Sequence, residues 1–249
     1  MDNVLKQFTE SRFFKKVIEE YNPLAVFLTG SKAIGIDHEF SDYDLCLLTE
    51  EPVEFPDAEL QYIHKESGAC IHYYHHYLSE LFINKEQGRG LEDESDNSIW
   101  RGLVALGFNP EPLYVREDFS DGFAAMMEGK SVIAKAGLYE LYANFESFGY
   151  ILNIAKSGQL YPRRYLVYAL LIHGILFGGP SAEELAELKE LYRLSMKGTA
   201  AVDGLSEADR QRCISALKSV AAEFEGKKRE FEACKTQADE IYNGIKPAD

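Results

Sequence analysis

Near the N-terminus, Gly30-Ser31 and Asp42-Tyr43-Asp44 are the residues whose types and spacing suit chemistry. Asp42 and Asp44 stand two apart on the approach to a strand, where alternate side chains point the same way, so their carboxylates can share a cation. Mg²⁺ takes hard oxygen ligands and completes its octahedron with water and substrate phosphates, which suits a pair of aspartates. Upstream, Gly30 lets the backbone pass close to a ligand, and Ser31 offers a hydroxyl and an amide to phosphate oxygens. Lys32 either assists at those phosphates or is a solvated surface lysine. On the competing structural reading, Ser41 to Asp44 is a turn capped by aspartates and Gly30-Ser31 an ordinary strand-to-helix connection. Asp37, His38 and Glu39 between the two motifs read as a solvated loop.

The elements that must position these residues are legible around them. Glu10 to Tyr21 has apolar residues at helical spacing and ends at Asn22-Pro23. Leu24 to Thr29 is a continuous apolar run, as in a buried strand, and Gly30-Ser31 opens a turn or helix after it. Asp44 to Thr49 is a second such strand, followed by a loop over Glu51 to Pro56. Leu60 to His64 and Ala69 to His75 read as a third and a fourth strand, joined by a turn at Ser67-Gly68. A helix begins at Leu78, an acidic surface loop spans Glu92 to Asp96, and Trp100 to Leu106 forms a helix ending at Gly107.

From about Ala124 the strand-like runs stop. The rest is helical pattern punctuated by Gly158, Pro162, Gly178-Gly179-Pro180 and Gly204, enough for four or five helices. Pro162 suits the first position of a helix running to Phe177. Ser181 with Glu184, and Ser206 with Asp209, open the next two as capping boxes. In this half, Arg163 and Arg164 either face a phosphate across a cleft or are solvated. Tyr139, Tyr142, Tyr150, Tyr165 and Tyr168 offer a base-stacking surface or, at helical spacing, core.

Composition narrows the function classes. With 26 Lys and Arg against 41 Asp and Glu, the net charge is -15. That disfavours broad binding to duplex nucleic acid, while leaving room for a local basic pocket. The four cysteines lie far apart with no CxxC pair and no metal-ligand spacing among them, so neither a disulfide framework nor a zinc site is expected. They read as reduced thiols of a cytoplasmic protein. Tyr165 to Phe177, the longest apolar stretch, is interrupted by His173 and too short to span a bilayer, so no membrane partner is expected.

The run VFLTGSKAIGIDHEFSDYDLCLL resembles the signature of the DNA polymerase β nucleotidyltransferase superfamily: an apolar strand, Gly-Ser, a spacer, then Asp-x-Asp leading into a second apolar strand. Ala33, Gly35 and Ser41 belong to the match. The resemblance implies an α+β protein, with a small mixed-sheet nucleotidyltransferase domain like the polymerase β palm over residues 1–120 and an all-helical bundle over 121–249. It also implies transfer of a nucleoside monophosphate from a nucleoside triphosphate to an acceptor hydroxyl. Asp42 and Asp44 would be catalytic and would hold two Mg²⁺ ions; Gly30, Ser31 and Lys32 would hold the nucleotide.

Members that transfer nucleotides usually carry a third carboxylate on a later strand. Ala69 to His76 contains no acid, and His72 stands at that position as a proton acceptor, though a poorer magnesium ligand. Glu66 and Glu59 are alternatives under another strand register. His72, His75 and His76 admit a transition-metal site or, more simply, aromatic strand packing. This departure keeps open a second function, a nucleotide-binding or protein-interaction module on the same fold, and a third, one half of a two-protein assembly. The acceptor implied by the superfamily is a small molecule, an RNA end or a protein. The segment Trp100 to Arg116 is loosely similar to a bacterial and phage group associated with RNA repair, whereas the acidic charge favours a small cationic acceptor. His173 follows Arg164 at too long an interval for the Arg-His motif of helical nuclease partners, so a ribonuclease is not expected.

Overall fold

Strand β1 (Ala25–Thr29) is buried at every residue, and a strand with no exposed face must be covered on both sides. The chain supplies both covers in a computed structural model that describes residues 3–37, 41–51, 53, 61–63, 68–82, 99–108, 110–144, 163–178, 181–196 and 206–246. On one face, helices α1 (Asn3–Glu10) and α2 (Arg12–Tyr21) bring Phe8, Phe14 and Val17 against Val26 and Leu28. The Ser11 side chain caps α2 by accepting from Phe14 N–H at 3.1 Å. Asn22 ends α2 in the left-handed region, at φ 40°. The first helix escaped the sequence reading because only Leu5 and Phe8 of it are buried, too few for a periodic signal.

Five strands form one mixed sheet in the order β3-β4-β2-β1-β5. Strand β2 (Tyr43–Thr49) is antiparallel to β1 and parallel to β4 (Cys70–Tyr77), which is antiparallel to the short β3 (Gln61–Ile63). These are the four expected strands. The fifth, β5 (Pro112–Val115), runs antiparallel to β1 with a register shift between Val26 and Phe27. Two prolines near its start hid it from the sequence reading. Proline is tolerated at the first residue of an edge strand, and Pro112 holds that place on the sheet's edge.

The second face of the sheet carries Ala25, Phe27, Cys46 and Leu48 into a core that continues through the helices. The short α4 (Leu78–Leu81) and then α5 (Ile99–Gly107) lie before β5. After a 3₁₀ turn at Glu117–Phe119, every described element is a helix: α6 (Ser120–Glu128), α7 (Lys130–Asn144), α8 (Arg163–Phe177), α9 (Ala182–Met196), α10 (Glu207–Gly226) and α11 (Lys228–Ile245). That makes six described helices where four or five were expected. Breaks at Gly129 and Lys227 divide what the sequence pattern left continuous. At Gly129 a Cβ would stand 2.3 Å from Ile241 Cδ1, so the break lets α11 approach closely. The expected caps form: Ser181 Oγ accepts from Glu184 N–H at 3.2 Å while Glu184 accepts from Ser181 N–H at 2.6 Å, and Ser206 Oγ accepts from Asp209 N–H at 3.1 Å. Among the described residues no helix is long and apolar enough to cross a membrane. The acidic loop 92–96, the loop from 54 to 56, Ser67, Pro162 and the glycines at 158, 179 and 204 lie outside the described residues, as do Tyr150, His38, Glu39, Glu59 and Glu66.

Candidate functional site

Strand pairing alone brings the candidate residues together. In the antiparallel β1/β2 ladder Thr29 is paired with Asp44, and Thr29 Oγ1 donates to the Asp44 carbonyl at 3.0 Å. In the parallel β2/β4 ladder Asp44 is paired with His72 and Tyr43 with Ile71. Extended one residue outward, the same register sets Asp42 beside Cys70. Because side chains alternate along a strand, Asp42, Asp44, Cys70 and His72 belong to one face of the sheet, at the end where β1 turns into the short helix α3 (Gly30–Ala33).

Gly30 and Asp44 meet most closely. Gly30 has φ +65°, and a Cβ built on it would lie 2.1 Å from Asp44 Oδ2. Only a residue without a side chain allows that carboxylate to lie against the backbone here, and only glycine takes the left-handed conformation freely. Ser31 is 4% exposed, held in the turn whose closing bond runs from Ile36 N–H to the Ser31 carbonyl at 3.0 Å.

Lys32 and Asp37 lie together beside the site. The Lys32 ammonium lies 3.4 Å from Asp37 Oδ2 and 4.3 Å from the centre of the Tyr43 ring. Tyr43 faces the opposite side of β2 from Asp44, so the ammonium is drawn towards the far face of the sheet. Asp37 is not a solvated loop residue: its side chain is 28% exposed, and its second oxygen lies 3.6 Å from Lys189 Nζ on α9. The loop between the two motifs is thus tied to the helical half by a carboxylate between two ammonium groups. No sequence signal marks that pairing, because Lys189 is distant in the chain.

At the position expected of a third acid stands His72, with Nε2 3.5 Å from Asp42 Oδ2. Cys70 completes a group with these two: one donor atom from each of Asp42, Cys70 and His72 lies within 4.8 Å of the others. Asp42 is exposed, while Cys70 and His72 are half-buried. Spacing among the four cysteines does not mark Cys70; the signal in the sequence is the Cys-x-His alternation along β4. The other two histidines do not join it. His75 faces the opposite side of β4, where Nε2 lies 2.7 Å from Thr49 Oγ1, and His76 is 2% exposed beside Glu80 at 3.4 Å. Cys46, deeper on β2, is no nucleophile: burial, and then the charge of Glu80, push its thiol far above the ordinary range.

Among the other candidates, Tyr139 is core, stacked on Phe231 at 5.1 Å, and Tyr142 half-buried against Phe224 at 5.0 Å. The side chains of Arg163, Arg164, Tyr165 and Tyr168 lie outside the described residues.

Asp42 and Asp44 supply the hard oxygens that Mg²⁺ takes, but the third position supplies an imidazole and a thiol, which suit softer ions. Two of the four donors fit magnesium and two do not. Residues 10–94 match the family model described as a nucleotidyltransferase domain. No curated protein matches the chain. The matched span contains α2, the four strands β1 to β4 and every residue of the candidate cluster, and the segment belongs to the nucleotidyltransferase domain family of the polymerase β-like superfamily.

Proposed function

We propose that the protein transfers a nucleoside monophosphate from a nucleoside triphosphate to an acceptor hydroxyl, with the site formed by Gly30, Ser31, Asp42, Asp44 and His72. The observation that carries this reading is the Gly30 to Asp44 contact inside a matched nucleotidyltransferase segment: the phosphate-side turn and the second carboxylate of the pair are fitted to each other without intervening atoms. Asp42 and Asp44 would hold the divalent ions, which supply charge neutralisation at the phosphates and activation of the attacking hydroxyl. The Gly30-Ser31 turn offers amide and hydroxyl groups to phosphate oxygens, fixed in place before substrate arrives. His72, paired in register with Asp44, takes the proton of the acceptor hydroxyl through its ring nitrogen. Lys32, drawn to Asp37 and Tyr43, contributes to the local field and not to a direct phosphate contact.

The acidic surface supports a small cationic acceptor over a polyanion. The four free thiols support a reducing, cytoplasmic setting. We take residues 1–120 as the nucleotidyltransferase unit and 121–249 as the helical unit that borders the acceptor side, where Lys189 meets Asp37. The replacement of the third acid favours a second reading, a nucleotide-binding module without transfer.

The test is transfer of labelled nucleotide to a panel of aminoglycoside-type amino sugars and RNA ends, compared between wild type and an Asp42→Ala, Asp44→Ala double variant. Transfer by the wild type and its loss in the variant, by a factor on the order of 1,000 or more, is the expected result. Equal rates in the two proteins overturn the assignment. Tight nucleotide binding with no transfer to any acceptor supports the module reading instead.

A further inference from the structure

We propose that Asp42, Cys70 and His72 form a three-ligand site for a borderline divalent ion of the Zn²⁺ class, and that this ion, not Mg²⁺, is the preferred occupant of the third-acid end of the cluster. The geometry comes first. A tetrahedral ion bonded to a histidine nitrogen at about 2.05 Å and a carboxylate oxygen at about 2.1 Å sets those two atoms roughly 3.4 Å apart. The separation of His72 Nε2 and Asp42 Oδ2 is 3.5 Å. Cys70 Sγ completes a triangle whose sides are all within 4.8 Å, whereas a bound ion requires sulfur-to-nitrogen and sulfur-to-oxygen sides of roughly 3.6 Å. Any closure from that outer limit falls to the Cys70 side chain, which belongs to both of those sides, while His72 and Asp42 keep their separation.

The backbone already fixes two of the three donors. Cys70 and His72 stand two apart on β4, on the same face, and the ladder between β2 and β4 holds Asp42 beside them. A thiolate, an imidazole and one carboxylate form a soft to intermediate donor set, of the kind that selects zinc over magnesium. Three protein ligands leave a fourth position open, as in zinc sites that bind water or a substrate group. Asp42 belongs both to this set and to the carboxylate pair, so the ion takes the place of one of two magnesium ions and does not add to them, and while it is bound His72 Nε2 is a ligand and not the proton acceptor. This displacement rests on the function proposed above; the binding itself requires neither nucleotide nor transfer.

Cobalt reports on the site directly, because a thiolate on Co²⁺ gives a charge-transfer band in the near ultraviolet that oxygen and nitrogen donors do not. Titration of the reduced, metal-free full chain with Co²⁺ is expected to raise that band to one equivalent, in the presence of excess Mg²⁺, and Zn²⁺ is expected to bleach it. Cys70→Ser should abolish the band and weaken Co²⁺ binding by at least about tenfold, the lower end of what changes even outside the ligand shell cost. His72→Ala should weaken binding by a similar factor while keeping the band's thiolate character. Asp44→Asn should leave the band in place, which separates this site from the carboxylate pair and from transfer activity. A wild type without the band, a Cys70→Ser protein that binds cobalt as tightly as wild type, or a band that Zn²⁺ fails to bleach overturns the proposal. Circular dichroism matching the wild type confirms that each variant is folded, and the wild-type titration decides the matter if a variant is not.

Discussion

A methyl group on Gly30 would stand 2.1 Å from Asp44 Oδ2 and 2.9 Å from its Cγ, on a residue whose φ is +65°. Two penalties follow from Gly30→Ala. An L-residue in the left-handed region costs about 1–2 kcal/mol, and the carboxylate must leave its place beside the turn. We expect Gly30→Ala to lower the urea unfolding free energy by about 1–3 kcal/mol. We also expect it to cut nucleotide transfer on the order of 100-fold, the usual cost of misplacing a reacting group by about an ångström. A variant that is destabilised but transfers at the wild-type rate would show that Asp44 need not lie against the backbone. The Gly-Ser and Asp-x-Asp types were legible in the sequence because each has its own backbone or ligand chemistry. The partners of Lys32 were not, since Asp37 and the Tyr43 ring gain meaning only once the turn folds the ammonium towards them.

At the scale of elements, what carried a periodic or capping signal was readable, and what did not was missed. The strands β1 to β4 were legible from apolar runs between turn residues, and the starts of α9 and α10 from Ser181 with Glu184 and Ser206 with Asp209. The first helix has too few buried residues to register, and β5 is masked by its prolines. The pairing of β2 with β4 was not legible at all, because parallel partners are joined through distant contacts and not through a local turn. That pairing is what sets His72 beside Asp44 and Cys70 beside Asp42. The cap at Ser206 offers a test of element stability away from the site. The hydroxyl accepts one of the N–H groups left open at the start of α10, so Ser206→Ala should cost about 1 kcal/mol in chemical denaturation. Cobalt binding at Cys70 should be unchanged. A loss under about 0.3 kcal/mol would mean that water replaces the hydroxyl without penalty.

Across the whole molecule, one apolar core runs from Phe27, Cys46 and Leu48 in the sheet to Phe224, Phe231 and Tyr242 in the last two helices. It crosses the proposed boundary at residue 120, so the two proposed units differ in architecture while sharing their interior. Shared burial of this extent couples their stabilities, because uncovering one face of β1 and β2 exposes side chains that have no other cover. Phe224 is a sharp probe of that coupling. It is 1% exposed and lies 5.0 Å from Phe231 edge to face, with Tyr142 at 5.0 Å and Tyr139 at 5.7 Å. Truncating a buried phenylalanine typically costs about 3–5 kcal/mol, a large fraction of the roughly 5–15 kcal/mol that holds a domain folded. Trp100, the only tryptophan in the chain, belongs to α5 before the boundary, and far-ultraviolet dichroism is dominated by the helices after it. In wild type and in Phe224→Ala, the two signals should change together in one transition, shifted to lower denaturant in the variant. If fluorescence kept its wild-type midpoint while dichroism fell early, the nucleotidyltransferase unit would stand without the helices and the core would be two cores in contact. Coincident shifts would instead mean that a substitution in the helical half reaches the site through stability alone. Transfer by Phe224→Ala should then be normal at low temperature and fail on warming, in step with the unfolding curve.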